Sequence, residues 1–396
     1  MDNKRELVGL QVYGETKVGW DEKAHPNETV DDHGVLVNGE TEFAKPDPRS
    51  PPRRAYDDPA VGRLRDYLRN NNGIRNLEIC SPNEIERAAR IFHRDGFVVV
   101  QDLLDSDRLA SFRQGCARVL KELLSIPGIG GRKYLPETNR LPHRYSFGTA
   151  SSSRQLMHDE VWASMIDLPT TTPILCEIFG TDDYLVHGGG GDLCLPGAIE
   201  YQHLHVDYID TQDLDDNRLA CAQNRGLLPR NIEAFSELDF RTQRQAMDHT
   251  PPVVTINFMM SDLTYENGPI RQIPGTQTAT DIPPTPTDEP EWMRLSTLVG
   301  VPAGAGIFRD NRAWHGGTPN LSREIRAMPN IEYSPAWRPQ QEFHKTMPHT
   351  VWGSLTQHAQ KLCRLITEEP GVWPAGAGVM HPFAQKRRDA FEQQKK

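Results

Sequence analysis

Beyond Gly180 the spacing of apolar residues drops from the helical period of about 3.6 to the strand period of 2, and no other feature constrains the fold of this chain more. Upstream, SPNEIERAARIFHRDGFVVV predicts helix, turn and strand, with Ser81 as N-cap, Pro82 at the first helical position, Glu84 three beyond the cap, and Phe97–Val100 extended. A second helix is expected from about Asp107 to Leu124, carrying Leu109, Phe112, Cys116, Leu120 and Leu123 on one stripe. Downstream, strands are expected at Tyr184–Val186, Tyr201–Tyr208, Val253–Met260, Gly306–Phe308 and Arg326–Tyr333, followed by a helical tail at about Val351–Ile366. Glycines and prolines accumulate between them. The pattern is mainly β with flanking helices, a double-sheet barrel with helical buttresses.

The chain has 396 residues, 37% of them hydrophobic, with 31 Gly and 31 Pro, so much loop surrounds a modest core. Residues 1–75 read as a polar, Pro-rich extension with few internal elements, marked by KPDPRSPPRR; residues 76–340 form the main domain, and 341–396 a helical extension packed on it. A charged insertion at about 210–250 is long enough to serve as a lid. The formal net charge of -10 argues against a nucleic-acid or anionic-membrane partner. Six cysteines without a C-x-x-C pair fit reduced thiols. Neither a signal-type apolar region nor a long apolar run occurs, so a cytoplasmic protein is expected, with a homodimer as a candidate assembly.

The stretch EYQHLHVDYID sets His203, His205 and Asp207 two residues apart. On a strand all three would share a face, neighbours roughly 7 Å apart and the outer pair roughly 13 Å. Metal–ligand bonds of about 2.0–2.2 Å let two adjacent members share one ion, but not all three without buckling the strand. The choice lies between His203 with His205 and His205 with Asp207. The best third ligand is His315 in GIFRDNRAWHGGTPNLSREIR. Two imidazoles and one carboxylate on one face of an ion leave open positions, the arrangement of non-haem Fe(II) oxygenases. Arg326, eleven positions after His315, begins a strand, and a buried guanidinium there would match a carboxylate bidentately. The competing cupin arrangement takes His203 and His205 with Asp210 as carboxylate, and leaves Arg326 without a task.

With those residues in place, the chain resembles the phytanoyl-CoA dioxygenase family of Fe(II)/2-oxoglutarate oxygenases over roughly residues 81–335. The parts are IFHRDGFVVVQDLL, His205-x-Asp207, ENGPIRQIPGTQ and WHGGTPNLSREIR. The resemblance implies a double-stranded β-helix (jelly-roll, cupin-like) core, iron on His205, Asp207 and His315, and the distal carboxylate of 2-oxoglutarate on Arg326. Family members often place a hydroxyl residue two after the distal histidine; here that residue is Gly317, which leaves Thr318 or Ser322 as candidates. The reaction implied consumes 2-oxoglutarate and O₂, releases succinate and CO₂, and hydroxylates or desaturates a C–H bond of a small-molecule, secondary-metabolism substrate. Asp207 argues against halogenation, because related halogenases carry a small residue there.

Three further residues are candidate substrate contacts: His203 on the ligand face, Arg144 in NRLPHRYSFGT, and Asp192 after the four glycines of HGGGGDL. That glycine run lacks the following Lys-Ser/Thr of a nucleotide loop and is read as close backbone approach. Trp314 is assigned to packing. A non-catalytic jelly-roll binder is the alternative function, separable by iron- and 2-oxoglutarate-dependent succinate release.

Overall fold

A computed structural model describes residue 20 and residues 55–125, 144–147, 155–210, 216–279, 281–338, 340 and 343–377. His143, the rest of the N-terminal extension up to 54 and the tail beyond 377 lie outside the described residues. In chain order the strands are β1 (Ile79–Cys80), β2 (Phe97–Val100), β3 (Arg144–Phe147), β4 (Tyr184–Cys194), β5 (Val254–Phe258), β6 (Arg271–Gln272), β7 (Gly306–Asp310), β8 (His315–Gly316) and β9 (Arg326–Pro335). Seven of them form one mixed sheet in the order β1-β2-β7-β5-β9-β4-β3, while β6 and β8 form a separate ladder. Only β1 with β2 runs parallel; the other pairings in the large sheet are antiparallel.

Alternation along the strands gives the large sheet two unlike faces. Val98, Val100, Tyr184, Val186, Val254, Ile256, Phe258, Phe308, Ile331 and Tyr333 join one apolar core with the helices Ile85–Asp95, Ser106–Ser125 and Thr172–Phe179. The opposite face mixes a smaller apolar cluster, including Phe97, Val99, Ile307 and Met328, with Thr255, Asn257, Arg309, Arg326, Asn330 and Glu332. Helices cover the first face. The second is half polar, and it is where chemistry can be housed.

The glycines of HGGGG do serve close approach. Leu156 N–H donates to Gly189 O at 2.8 Å and Gly189 N–H to Gln155 Oε1 at 2.8 Å, and a Cβ on Gly189 would fall 2.3 Å from Met157 Cε. Residues 155–157 can therefore lie flat on β4.

Four sequence expectations need correction. The helix read from Ser81 starts at Ile85, because the Glu84 carboxylate turns back to accept from Ser81 N–H at 2.7 Å; it ends on Gly96 at φ 79°. The segment 201–208 is no regular strand: its ladder pairing is a single bridge between His205 and His315. The N-terminal extension holds a helix, Pro59–Asn71, capped by Asp58, whose Val61, Leu64 and Leu68 pack with Trp20, Ile199 and Leu321. The helical tail is two short helices, His349–Trp352 and Gln357–Leu362, and Leu362, Cys363 and Ile366 enter the main core.

Candidate metal centre

Backbone hydrogen bonds clamp the segment 202–208 to 311–317. Gln202 N–H donates to Gly317 O, and Asp207 N–H to Asn311 O, each at 2.9 Å. His205 and His315 exchange both of their bonds, His205 N–H to His315 O at 3.0 Å and the reverse at 3.1 Å. These bonds carry Asp207 and both imidazoles to one place.

Their metal-binding atoms lie within 4.8 Å of one another, the sole such group of three among the described residues. His205 Nε2 is 3.5 Å from Asp207 Oδ1, and His315 Nε2 is 3.3 Å from Asp207 Oδ2. Ligand atoms at right angles on an ion, with bonds of about 2.0–2.2 Å, sit roughly 3 Å apart, so the site closes on a metal with little movement. The far ring nitrogens agree. His205 Nδ1 lies 2.9 Å from His203 O and His315 Nδ1 3.0 Å from Ala313 O. Carbonyls only accept, so at His205 the contact favours the proton on Nδ1 and turns the Nε2 lone pair inward; at His315 the same preference is opposed by Arg309 Nη1, a donor 3.0 Å from Nδ1. Burial and the neighbouring Arg309 charge push the His315 imidazole down to about 4, which keeps it neutral as a ligand must be. Burial acts to raise the Asp207 carboxyl, but His315, Arg309 and two hydrogen bonds outweigh it and hold it well below the usual carboxylate range. With His315 neutral, Arg309 supplies the lasting charge. Asp207 leaves 33% of its side chain exposed.

Arg309 was missed by the sequence reading, which ended its strand at Phe308. Its Nη2 donates to Asp207 Oδ2 at 2.7 Å, and its Nη1 is 3.0 Å from His315 Nδ1. A charged residue in an apolar strand just before the distal histidine was the available signal. Arg326 begins β9 on the same sheet face, 3% exposed, with Nε donating to Gly268 O at 3.0 Å.

The other candidates have different surroundings. Arg144 is buried, and its guanidinium donates to Glu200 O at 2.6 Å and Thr318 O at 2.7 Å, tying two loops together. Thr318 donates its hydroxyl proton to Pro269 O at 2.6 Å, and Ser322 donates to Asn320 Oδ1 at 2.7 Å. Asp192 stands opposite Met328 across β4 and β9. His203 contributes its carbonyl to the centre, and its ring is not in the cluster. The cupin set does not assemble, because Asp210 is held by Arg218 and Arg312 at 3.0 Å each. Trp314 packs with Leu204 and Ile273, away from the ligands.

A helix-flanked mixed sheet whose partly polar face adjoins two imidazoles and a carboxylate defines the class: a protein with a candidate two-histidine, one-carboxylate metal site. The family model of Phytanoyl-CoA dioxygenase (PhyH) matches residues 236–328, which bears out the resemblance read from the sequence. The match spans His315 and Arg326. Solved structures of similar shape include AviO1 from Streptomyces viridochromogenes Tue57, at 17% identity, TM-score 0.40, covering 65% of this chain and 97% of that one. Others are the non-heme alpha ketoglutarate dependent epimerase SnoN from nogalamycin biosynthesis (16% identity, TM-score 0.40, 65% and 84% covered) and HygX from Streptomyces hygroscopicus, solved with nickel, 2-oxoglutarate and hygromycin B (18%, 0.39, 63% and 87%). Among the described residues, no helix is long and apolar enough to cross a membrane.

Proposed function

We propose that the chain is an Fe(II)- and 2-oxoglutarate-dependent oxygenase of the phytanoyl-CoA dioxygenase family, with a jelly-roll core, that hydroxylates or desaturates a C–H bond of a small-molecule metabolite. The observation that carries this reading is the cluster of His205, Asp207 and His315, whose metal-binding atoms lie within 4.8 Å of one another. Those three residues hold the iron. Bound there with 2-oxoglutarate and O₂, it supplies an oxidant strong enough to remove hydrogen from carbon, with succinate and CO₂ as co-products. The protein's share is placement. The carbonyls of His203 and Ala313 fix the imidazoles, Arg309 fixes the carboxylate, and Arg326, on the same sheet face as Arg309, receives the distal carboxylate of the co-substrate.

Anaerobic loading with Fe(II), followed by 2-oxoglutarate and air, should release succinate even without the true substrate, through uncoupled turnover. Asp207→Ala should lose metal binding and succinate release while keeping the wild-type circular dichroism. Wild-type protein that takes up no iron and forms no succinate would overturn the assignment and favour a binding protein.

A further inference from the structure

The ladder between β6 and β8 pairs Gln272 with His315, and the bridge beyond it pairs His315 with His205. Gln272, His315 and His205 therefore stand in one row across three neighbouring segments. Directly opposed residues of antiparallel strands project to the same side, at a spacing of about 4.8 Å per strand. The two imidazoles confirm the geometry, with ring centroids 4.2 Å apart. The side chain of Gln272 therefore emerges on the ligand side, one strand from the distal histidine. Arg271, one residue earlier, points the other way, to Glu289 and Gln202 O.

Gln272 is 0% exposed, yet among the described residues neither its Oε1 nor its Nε2 has a hydrogen-bond partner. Its main chain is engaged, with N–H donating to Ser296 O at 2.9 Å, so only the amide is unspent. A buried amide without partners is costly, and native proteins rarely keep one unless a ligand or trapped water completes it. Among the described residues, Arg271 Nε on β6, Asn257 Oδ1 on β5 and Arg309 Nε on β7 share this condition.

We infer that Gln272 is a contact residue for the keto acid, its Nε2–H₂ donating to an oxygen at the metal-chelating end of 2-oxoglutarate. This rests on the proposed function. The keto acid is singled out over the primary substrate because it must touch the metal, within one strand spacing of His315, whereas the primary substrate stops short of the ion.

The test uses full-length protein loaded with Co(II), a redox-inert stand-in, and titrates 2-oxoglutarate by calorimetry. Gln272→Leu should bind Co(II) as wild type does but weaken 2-oxoglutarate about tenfold to a hundredfold, the worth of one charge-assisted hydrogen bond. Gln272→Glu should weaken it further by like-charge repulsion. The metal-free Gln272→Leu protein should melt no lower than wild type, because it no longer buries an unpaired amide, while in the Co(II)-loaded protein the 2-oxoglutarate-induced rise in Tm shrinks. An unchanged 2-oxoglutarate affinity in Gln272→Leu, as a trapped water on the amide would give, overturns the inference; so does a loss of Co(II) binding. If the leucine variant does not fold, Gln272→Asn, one methylene short, decides by the same two titrations. Wild-type protein that binds neither Co(II) nor 2-oxoglutarate would instead sink the oxygenase reading itself.

Discussion

An arginine hydrogen-bonded to a metal-ligating carboxylate sets two effects against each other. The positive charge of Arg309 repels an incoming divalent ion, yet its 2.7 Å bond to Asp207 Oδ2 holds the carboxylate where the ion needs it. Charge alone predicts that Arg309→Gln tightens metal binding. Orientation predicts the reverse, and groups that orient ligands are typically worth 10–100-fold in metal affinity, about 1.4–2.7 kcal/mol. The shortness of the bond and the burial of Arg309, 3% exposed, favour orientation. Arg309→Gln should therefore weaken Co(II) about tenfold or more, and Arg309→Lys, which keeps the charge but loses the fork, should recover part of that. Tighter binding in the glutamine variant would show that charge dominates. Spacing left two candidate pairs, His203 with His205 or His205 with Asp207, beside His315, and the family resemblance chose the second. Arg309 and Gln272 were not legible. Their relevance comes from register, β7 against β5 and β6 against β8, and register between distant segments is absent from local pattern.

The insertion near residues 210–250 is ordered into the helix Asp216–Asn224, a 3-10 turn at Phe235–Glu237 and the helix Phe240–Asp248, around a small core of Leu219, Ala222, Leu228, Phe235 and Ala246. Asp210 joins it to the metal loops, alongside a bond from Arg312 Nη1 to Met247 O at 3.1 Å. Asp210 accepts both Arg218 nitrogens at 3.0 Å, and Arg312 Nη1 at 3.0 Å, while Arg218 also donates to Thr250 Oγ1 and Thr250 O at 2.9 Å each. Asp210 lies three residues after Asp207 and Arg312 three before His315, so this network braces both halves of the centre. Asp210→Ala removes the carboxylate partner of buried Arg218, while Arg312 keeps its fork on Asp310, and should cost about 3 kcal/mol in urea melts, with Asp210→Asn intermediate. A loss below about 1 kcal/mol would mean that solvent reaches these arginines and that the insertion is only loosely attached. Strands β5, β7 and β9 were readable because β-branched and aromatic runs alternate through them. The segment 201–208 misled because the same alternation arises in a loop held by bonds to Asn311, His315 and Gly317 instead of a full ladder.

Over the whole molecule, acidification sets buried histidines against net charge. His93 is pushed down to about 3, chiefly by burial and also by His249, whose ring lies 4.6 Å away; His187 is pushed down to about 4 by burial and by Arg338. Both are neutral when folded but take up a proton near pH 6.5 when unfolded. Between those values the unfolded chain binds more protons, so stability is full above about pH 6.5 and falls as pH drops towards 4. Each group contributes up to about 1.4 kcal/mol per pH unit in that window, and allowing for their partial exposure the loss from pH 7.5 to 5 should be about 2–4 kcal/mol. Asp210 acts lower: its carboxyl is raised by burial but lowered more by Arg218 and Arg312, so its share is lost only below the ordinary carboxylate range near 4. Net charge pulls the other way. The chain carries -10, and acidification towards its neutral point relieves self-repulsion, which by itself would stabilise the fold. Urea denaturation of metal-free protein at pH 7.5 and 5.0 separates the two. Lower stability at pH 5.0, with a flatter profile in His187→Phe, is expected from the buried imidazoles; equal or higher stability at pH 5.0 would show that relief of net charge outweighs these rings.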